Sequence, residues 1–377
     1  MDNGTTILID LWKDDSGITV TANIRFSHPL DGNYSFYIAE GFVIDNINDG
    51  ISLVEYESHA DKLEFRAPTK RLEVKSSGIK ELFLTYHGKV TSWHTLYEQD
   101  ILAVNLYTAW YPTDLSIHTK YIVKVHLDDT FYVVNGRYDE IEKLWYYQPL
   151  DYDVNIIALR KYEITEGKNV ALYYYGKENT GAVMPYYENY NKIVDYYTAL
   201  YGSSKLDKTN IVILPEENEY GGYFRKALIV FDGIREDYDE IVHTLAHEIA
   251  HSWCQGARTD SWEDWLNETF AEWSALLFEL EVNHNLNKFN AIILEKANSI
   301  TEDLPIKTKD LSRPEEVHDN GVLQLYKLFQ TNGANSIKKI LRAFDTLKEK
   351  TTDNLIGILK ENRETVILAE FISDMIK

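Results

Sequence analysis

Apolar and polar residues alternate strictly between positions 18 and 26. Ile18, Val20, Ala22, Ile24 and Phe26 fall on one side, and Thr19, Thr21, Asn23 and Arg25 on the other. A period of two places one face of a strand on a core and the other toward water. Shorter runs of this kind occupy Leu63–Arg66, Leu82–Tyr86, Tyr121–Leu127 and Asn155–Leu159, and Asp31-Gly32 and Asp49-Gly50 read as turns between strands. Residues 1–165 are therefore predicted to form a β-rich N-terminal domain, without a repeat.

From residue 166 the pattern changes. Strands are predicted at Val170–Tyr175, Ile211–Leu214 and Leu228–Phe231. They bracket a helix over Tyr186–Tyr201, which Gly202 ends. Asp237-Tyr238-Asp239-Glu240 reads as a capping box that opens a further helix. Apolar residues then recur at Ile241, Val242, Leu245 and Ile249, and no Gly or Pro intervenes before Gly256. A second helix is predicted from a weaker cap near Ser261 through Trp265, Leu266, Phe270, Trp273 and Leu277. The remainder, from about Asn285, reads as helical with breaks near Pro305, Pro314 and Gly333. The expected class is α+β, with a second domain over residues 166–377.

The first of these two helices carries His247-Glu248-Ile249-Ala250-His251. Two imidazoles four residues apart point the same way and can close on one divalent ion, zinc being the best match. Glu248 lies about 100° further round the helix, so it can face water on the ion without binding the ion itself. Glu268 on the second helix could supply a third ligand. Two histidines and a carboxylate leave zinc an open position, which marks a catalytic rather than a structural site.

Composition narrows the partners. The chain has 377 residues, 44% of them hydrophobic and 26% charged, ordinary for a globular protein. Its formal net charge of −22 argues against nucleic acid or an anionic membrane as partner, since both need positive surfaces. One cysteine excludes an intrachain disulfide. No apolar stretch is long enough to span a bilayer, and Met1 to Trp12 lacks the basic and apolar regions of a signal peptide, so a cytoplasmic location is expected.

His-Glu-Ile-Ala-His-Ser-Trp followed by Trp265-Leu266-Asn267-Glu268-Thr269-Phe270-Ala271 resembles the gluzincin metallopeptidases of the aminopeptidase N and leukotriene A hydrolase type. The resemblance is tight over residues 241–273. It implies one zinc per chain held by His247, His251 and Glu268, with Glu248 as general base. It also implies a thermolysin-like catalytic domain behind an N-terminal β-domain, where Trp110-Tyr111-Pro112 is similar to a family segment. The stretch Ser252–Asn267 is two residues shorter than is usual there, and Thr269 stands where the family has Gly.

Two further departures concern substrate handling. The family carries Gly-Ala-Met-Glu-Asn ahead of the strand at 228–231, and its Glu holds the substrate's amino group. This chain has Gly221-Gly222-Tyr223-Phe224-Arg225. Gly221 and Gly222 are expected to lie against the substrate, Phe224 cannot hold an amine, and Glu216, Glu217 or Glu219 could substitute. The strand Leu228–Phe231 is expected to be the sheet edge that pairs with an extended peptide. The family's oxyanion-stabilising Tyr has its counterpart at His318, in His318-Asp319-Asn320-Gly321.

Neighbouring residues take lesser roles. His243 lies too far from His251 along the helix to share an ion and reads as packing or support. Cys254 sits a turn beyond His251, Tyr326 reads as core, and Glu272 could accept a hydrogen bond from a ligand histidine. The leading function is zinc-dependent hydrolysis of short peptides. The alternatives are a non-catalytic scaffold that kept the fold, and hydrolysis of an epoxide or ester.

Overall fold

The computed structural model describes residues 4–63, 66–114, 119–149, 153–203, 205–206, 208–215, 221–300, 305–314 and 316–377. The chain divides into two compact units, Met1–Tyr162 and Glu163–Lys377.

The strands of the first unit are β1 (Thr5–Asp14), β2 (Gly17–Ala39), β3 (Val43–Asn48), β4 (Tyr56–Ala60), β5 (Thr69–Gly88), β6 (Leu96–Glu98), β7 (Ile101–Val104), β8 (Lys120–His126), β9 (Tyr132–Val133), β10 (Arg137–Asp139), β11 (Leu144–Tyr147) and β12 (Ile156–Leu159). An eight-stranded sheet runs β10-β11-β8-β1-β2-β5-β3, with β4 also paired to β5. A four-stranded sheet runs β6-β7-β12-β9. The alternation read in the sequence sets the buried face: Ile18, Val20, Ala22 and Ile24 of β2 lie inside with Ile7, Ile9 and Leu11 of β1. Trp110 is fully buried and donates its indole N–H to the Val154 carbonyl at 3.0 Å. Asp31-Gly32 is not a turn. It lies inside β2, beside the register shift at Leu30/Asp31, and Gly32 takes a φ of +114° that a side chain would resist. Of the run Leu63–Arg66, residues 64 and 65 lie outside the described residues.

The second unit opens with β13 (Glu163–Glu166), β14 (Val170–Tyr174), β15 (Thr209–Leu214), β16 (Gly222–Arg225) and β17 (Leu228–Asp232), in the order β13-β14-β15-β17-β16. The three inner strands are parallel and the two outer ones antiparallel. The edge is therefore β16, and the strand read as the edge, residues 228–231, lies one position inside it. The helices are α1 (Thr180–Tyr201), α2 (Tyr238–Ala250), α3 (Trp265–Glu281), α4 (Leu286–Ser299), α5 (Asn320–Asn332), α6 (Ala334–Thr346), α7 (Thr352–Lys360) and α8 (Val366–Met375). α1 starts six residues before the predicted Tyr186, because Pro185 falls near its N-terminus, where one lost N–H does not stop the helix. One core joins sheet and helices, with Leu245, Ile249, Trp265, Phe270 and Trp273 at its centre. The architecture is α+β, a β-rich region followed by a helical part. Among the described residues no helix is long and apolar enough to cross a membrane.

Candidate metal centre and active site

Asp237 caps α2 by accepting the Glu240 N–H at 2.9 Å. Only half of the expected box forms, because the Glu240 carboxylate turns away to Arg235. Ile241, Val242, Leu245, Ala246, Ile249 and Ala250 bury one face of α2 in the core. That orientation leaves His243, His247 and His251 along a stripe whose partners come from α3. Ser261 caps a short 3-10 turn over Trp262–Asp264 that runs into α3. Glu268 thus lies in the first α-helical turn, because the residues after the Ser261 cap form a separate 3-10 turn rather than the start of the α-helix. There the N-terminal dipole favours a carboxylate.

His247 Nε2 lies 3.5 Å from Glu268 Oε2, and His251 Nε2 lies 3.8 Å from the same oxygen. The ligand atoms of all three residues fall within 4.8 Å of one another. Zinc bonds of about 2.0–2.1 Å in a tetrahedron put ligand atoms about 3.4 Å apart, so the trio fits an ion with little movement. Each imidazole is held by its other nitrogen. His247 Nδ1 is 2.8 Å from Glu272 Oε2, and His251 Nδ1 is 3.4 Å from the Cys254 carbonyl. Both Nε2 atoms are thereby turned to the ion's place.

The electrostatics suit a cation. Burial disfavours charge on His247, but hydrogen bonds to Glu268 and Glu272 and the nearby carboxylates outweigh it, and carry the metal-free imidazole up to about 10. Burial likewise works against charge on Glu268. The His318 and His251 rings outweigh it and hold that carboxyl well below its usual range. A proton on His247 thus occupies a metal position. Zinc takes neutral imidazole, so uptake at pH 7 is expected to expel about one proton per chain while binding one ion. Apparent affinity should rise as pH climbs toward 10. Calorimetry in two buffers of different ionisation enthalpy measures this. A buffer-independent binding heat would contradict the assignment.

Glu272 is almost fully buried rather than a solvated surface acid. Besides His247 it takes His243 Nε2 at 3.2 Å and Lys296 Nζ at 3.2 Å. His243 is thus a partner of Glu272 and is not one of the three residues whose ligand atoms converge. Cys254 is buried, with Sγ 3.0 Å from the Tyr201 hydroxyl, and burial pushes its thiol up to about 12. Its sulfur is not among the ligand atoms that converge, which come from His247, His251 and Glu268. Tyr326 packs on Phe289 and Phe329.

Glu248 is buried, and the edge strand comes down beside it. A Cβ built on Gly222 would stand 3.3 Å from Glu248 Oε1 and 2.7 Å from the Phe231 ring. Only glycine allows this approach. The Asp232 N–H donates to the Gly221 carbonyl at 3.1 Å, so Gly221 forms a bonded pair with β17. Alternation along an antiparallel pair then turns the main-chain groups of Gly222 and Phe224 to the open edge. Of the two glycines, Gly222 is the one facing outward. The Phe224 side chain is in the core, and its carbonyl accepts the Arg225 guanidinium at 2.7 Å. Glu216, Glu217 and Glu219 lie outside the described residues.

His318 is half-exposed, with Nδ1 3.1 Å from Glu268 Oε2. Arg313 Nη2 stands 3.4 Å from His318 Nε2. A guanidinium can only donate, so Nε2 accepts, and Nδ1 carries a proton directed at the centre. Arg313 is itself held by Asp264, which also accepts from Asn267. Asn267 further bonds both the N–H and the carbonyl of Ala257, pinning the shortened loop to α3. Sequence reasoning missed Lys296, Arg313 and Asp264. Only Asn267 stood within the recognisable motif.

Residues 177–350 match the peptidase family M1 domain. Aminopeptidase M1-B of Oryza sativa subsp. japonica is 25% identical over 226 residues, which are 52% of this chain and 25% of that protein. The match thus spans about a quarter of this relative's length. An M1 zinc metallopeptidase from Deinococcus radiodurans shares the fold with a TM-score of 0.68 at 15% identity, over 99% of this chain and 94% of its own. Native leukotriene A4 hydrolase from Saccharomyces cerevisiae gives a TM-score of 0.68 at 15% identity, over 99% and 68%.

Proposed function

We propose that the chain is a zinc metallopeptidase of the aminopeptidase N and leukotriene A hydrolase-like family and that it hydrolyses peptide bonds, with His247, His251 and Glu268 holding one zinc ion and Glu248 as general base. The convergence of the three ligand atoms beside a buried, glycine-backed carboxylate carries this reading. Zinc bound there would polarise the scissile carbonyl and lower the pKa of water in its open position. Glu248 takes the proton of the attacking water and delivers it to the leaving amine. The outward main chain of Gly222 aligns the substrate backbone beside Glu248. His318 Nδ1–H donates to the oxygen that gains charge, and Glu272 keeps His247 in its working tautomer.

The substrates we propose are short peptides. Along the described edge, Arg225 occupies the outward carbonyl of Phe224, so Gly222 alone offers both main-chain groups for pairing. A Deinococcus radiodurans neighbour was solved with a Tyr-Ser-Ala substrate. Hydrolysis of di- to tetrapeptides that stops with a chelator and returns with zinc is the expected result. Hydrolysis indifferent to the chelator would refute the reading.

Cleavage polarity follows from residue 224. An ammonium group is held best by a fixed carboxylate, and Phe224 provides none, while Arg225 beside it attracts a carboxylate. N-acetylated and free peptides are expected to be cleaved at comparable rates. A mass-spectrometric digest of matched pairs measures this. Strict dependence on a free amino terminus would instead assign amine recognition to Glu216, Glu217 or Glu219.

A further inference from the structure

Lys296 sits in the last turn of α4, carries no motif, and is barely exposed. Its ammonium has three hydrogens and three acceptors. Glu272 Oε1 and Asp319 Oδ1 each lie 3.2 Å away, and the His318 carbonyl lies 3.3 Å away. The first of these is the carboxylate that holds His247; the other two belong to the turn that carries His318. Ser299, three residues further along α4, adds a second tie by donating to Asp319 Oδ2 at 2.6 Å. The end of α4 is thus a bracket between two parts of the centre that come from different elements.

We propose that Lys296 is a positioning residue for hydrolysis, fixing with one ammonium both the Glu272 that orients His247 and the turn that presents His318. The proposal rests on the reading of the centre as a zinc peptidase site. A lysine recruited only for stability would need one buried partner. This one divides its hydrogens between the support of a metal ligand and the backbone of a proposed oxyanion donor. Without it, Glu272 keeps only neutral or shared donors, and nothing else on α4 reaches the His318 carbonyl among the described contacts. Burial works against charge on Lys296, but Glu272 and Asp319 outweigh it and hold its ammonium above the usual lysine range, so it remains a cation throughout the neutral region.

The two arms separate by experiment. Lys296→Met keeps the apolar stem and removes all three bonds. It is expected to release zinc into excess chelator about 10–100-fold faster, the scale for losing support behind a metal ligand. Its kcat should fall by about tenfold or more, with KM little changed. Asp319→Asn removes the charged partner on the turn and leaves the Glu272 arm in place, so kcat should fall while zinc release keeps its wild-type rate. Lys296→Arg keeps the charge and should recover part of both losses. Wild-type zinc release and kcat in Lys296→Met would overturn the proposal, as would a change confined to KM or to thermal stability. If Lys296→Met fails to fold, Asp319→Asn decides it: unchanged kcat in that variant overturns the proposal. Zinc release is read without substrate. Absent peptidase activity in the wild type would therefore refute the proposed function, while the release rates still judge the Glu272 arm.

Discussion

Glu248→Gln is expected to keep its zinc and lose hydrolysis by roughly a thousandfold, the middle of the range for a general acid–base group. The amide keeps the shape that packs beside Gly222, where Glu248 Oε1 would lie 3.3 Å from an added Cβ, but it cannot accept the proton of water. Glu268→Ala should differ in kind. It removes the oxygen that both His247 Nε2 and His251 Nε2 approach, so zinc content and activity should disappear together. Elemental analysis alongside a peptide assay separates the two variants. Loss of zinc from Glu248→Gln would make Glu248 a ligand and undo the assignment of Glu268. Zinc retained at the wild-type level in Glu268→Ala would place the ion elsewhere.

What the sequence made legible follows from how local each signal is. α2 could be read because its cap, its apolar stripe and its histidines lie within fifteen residues, Asp237 to His251. The pairing of His247 and His251 is a property of helical geometry alone. Glu268 needed a second element, and the motif Trp-Leu-Asn-Glu supplied its place. Strand order had no such signal. Gly222–Arg225 and Leu228–Asp232 are both short runs, and which one lies outermost depends on β15 pairing with β17, a contact between residues eighteen positions apart. The turn at Asp31-Gly32 was misread for a related reason: a glycine with positive φ serves a bulge as well as a turn, and the partner strand β5 decides which. Lys296 was invisible because its role arises where α3, α4 and the turn before α5 meet, and one lysine on a helix carries no trace of that.

His318→Phe is expected to lower kcat about a hundredfold with little change in KM, the scale for one lost oxyanion donor. The nitrogen that carries the proton decides this. Arg313 donates toward Nε2 and so leaves the N–H at Nδ1, 3.1 Å from Glu268 Oε2 and therefore beside the ion's place. With zinc held by His247, His251 and Glu268, that N–H would be released from Glu268 and could donate to the carbonyl oxygen of a bound substrate. A bond that strengthens as the carbonyl oxygen gains charge lowers the barrier without tightening the ground-state complex. His318→Tyr should keep part of the rate, since a phenol also donates. The competing role for His318 is to hold Glu268 in place. That role predicts faster zinc loss in His318→Phe with kcat intact in zinc-saturated protein. Zinc-saturated His318→Phe turning over at the wild-type rate would thus move His318 from the reaction to the support of Glu268.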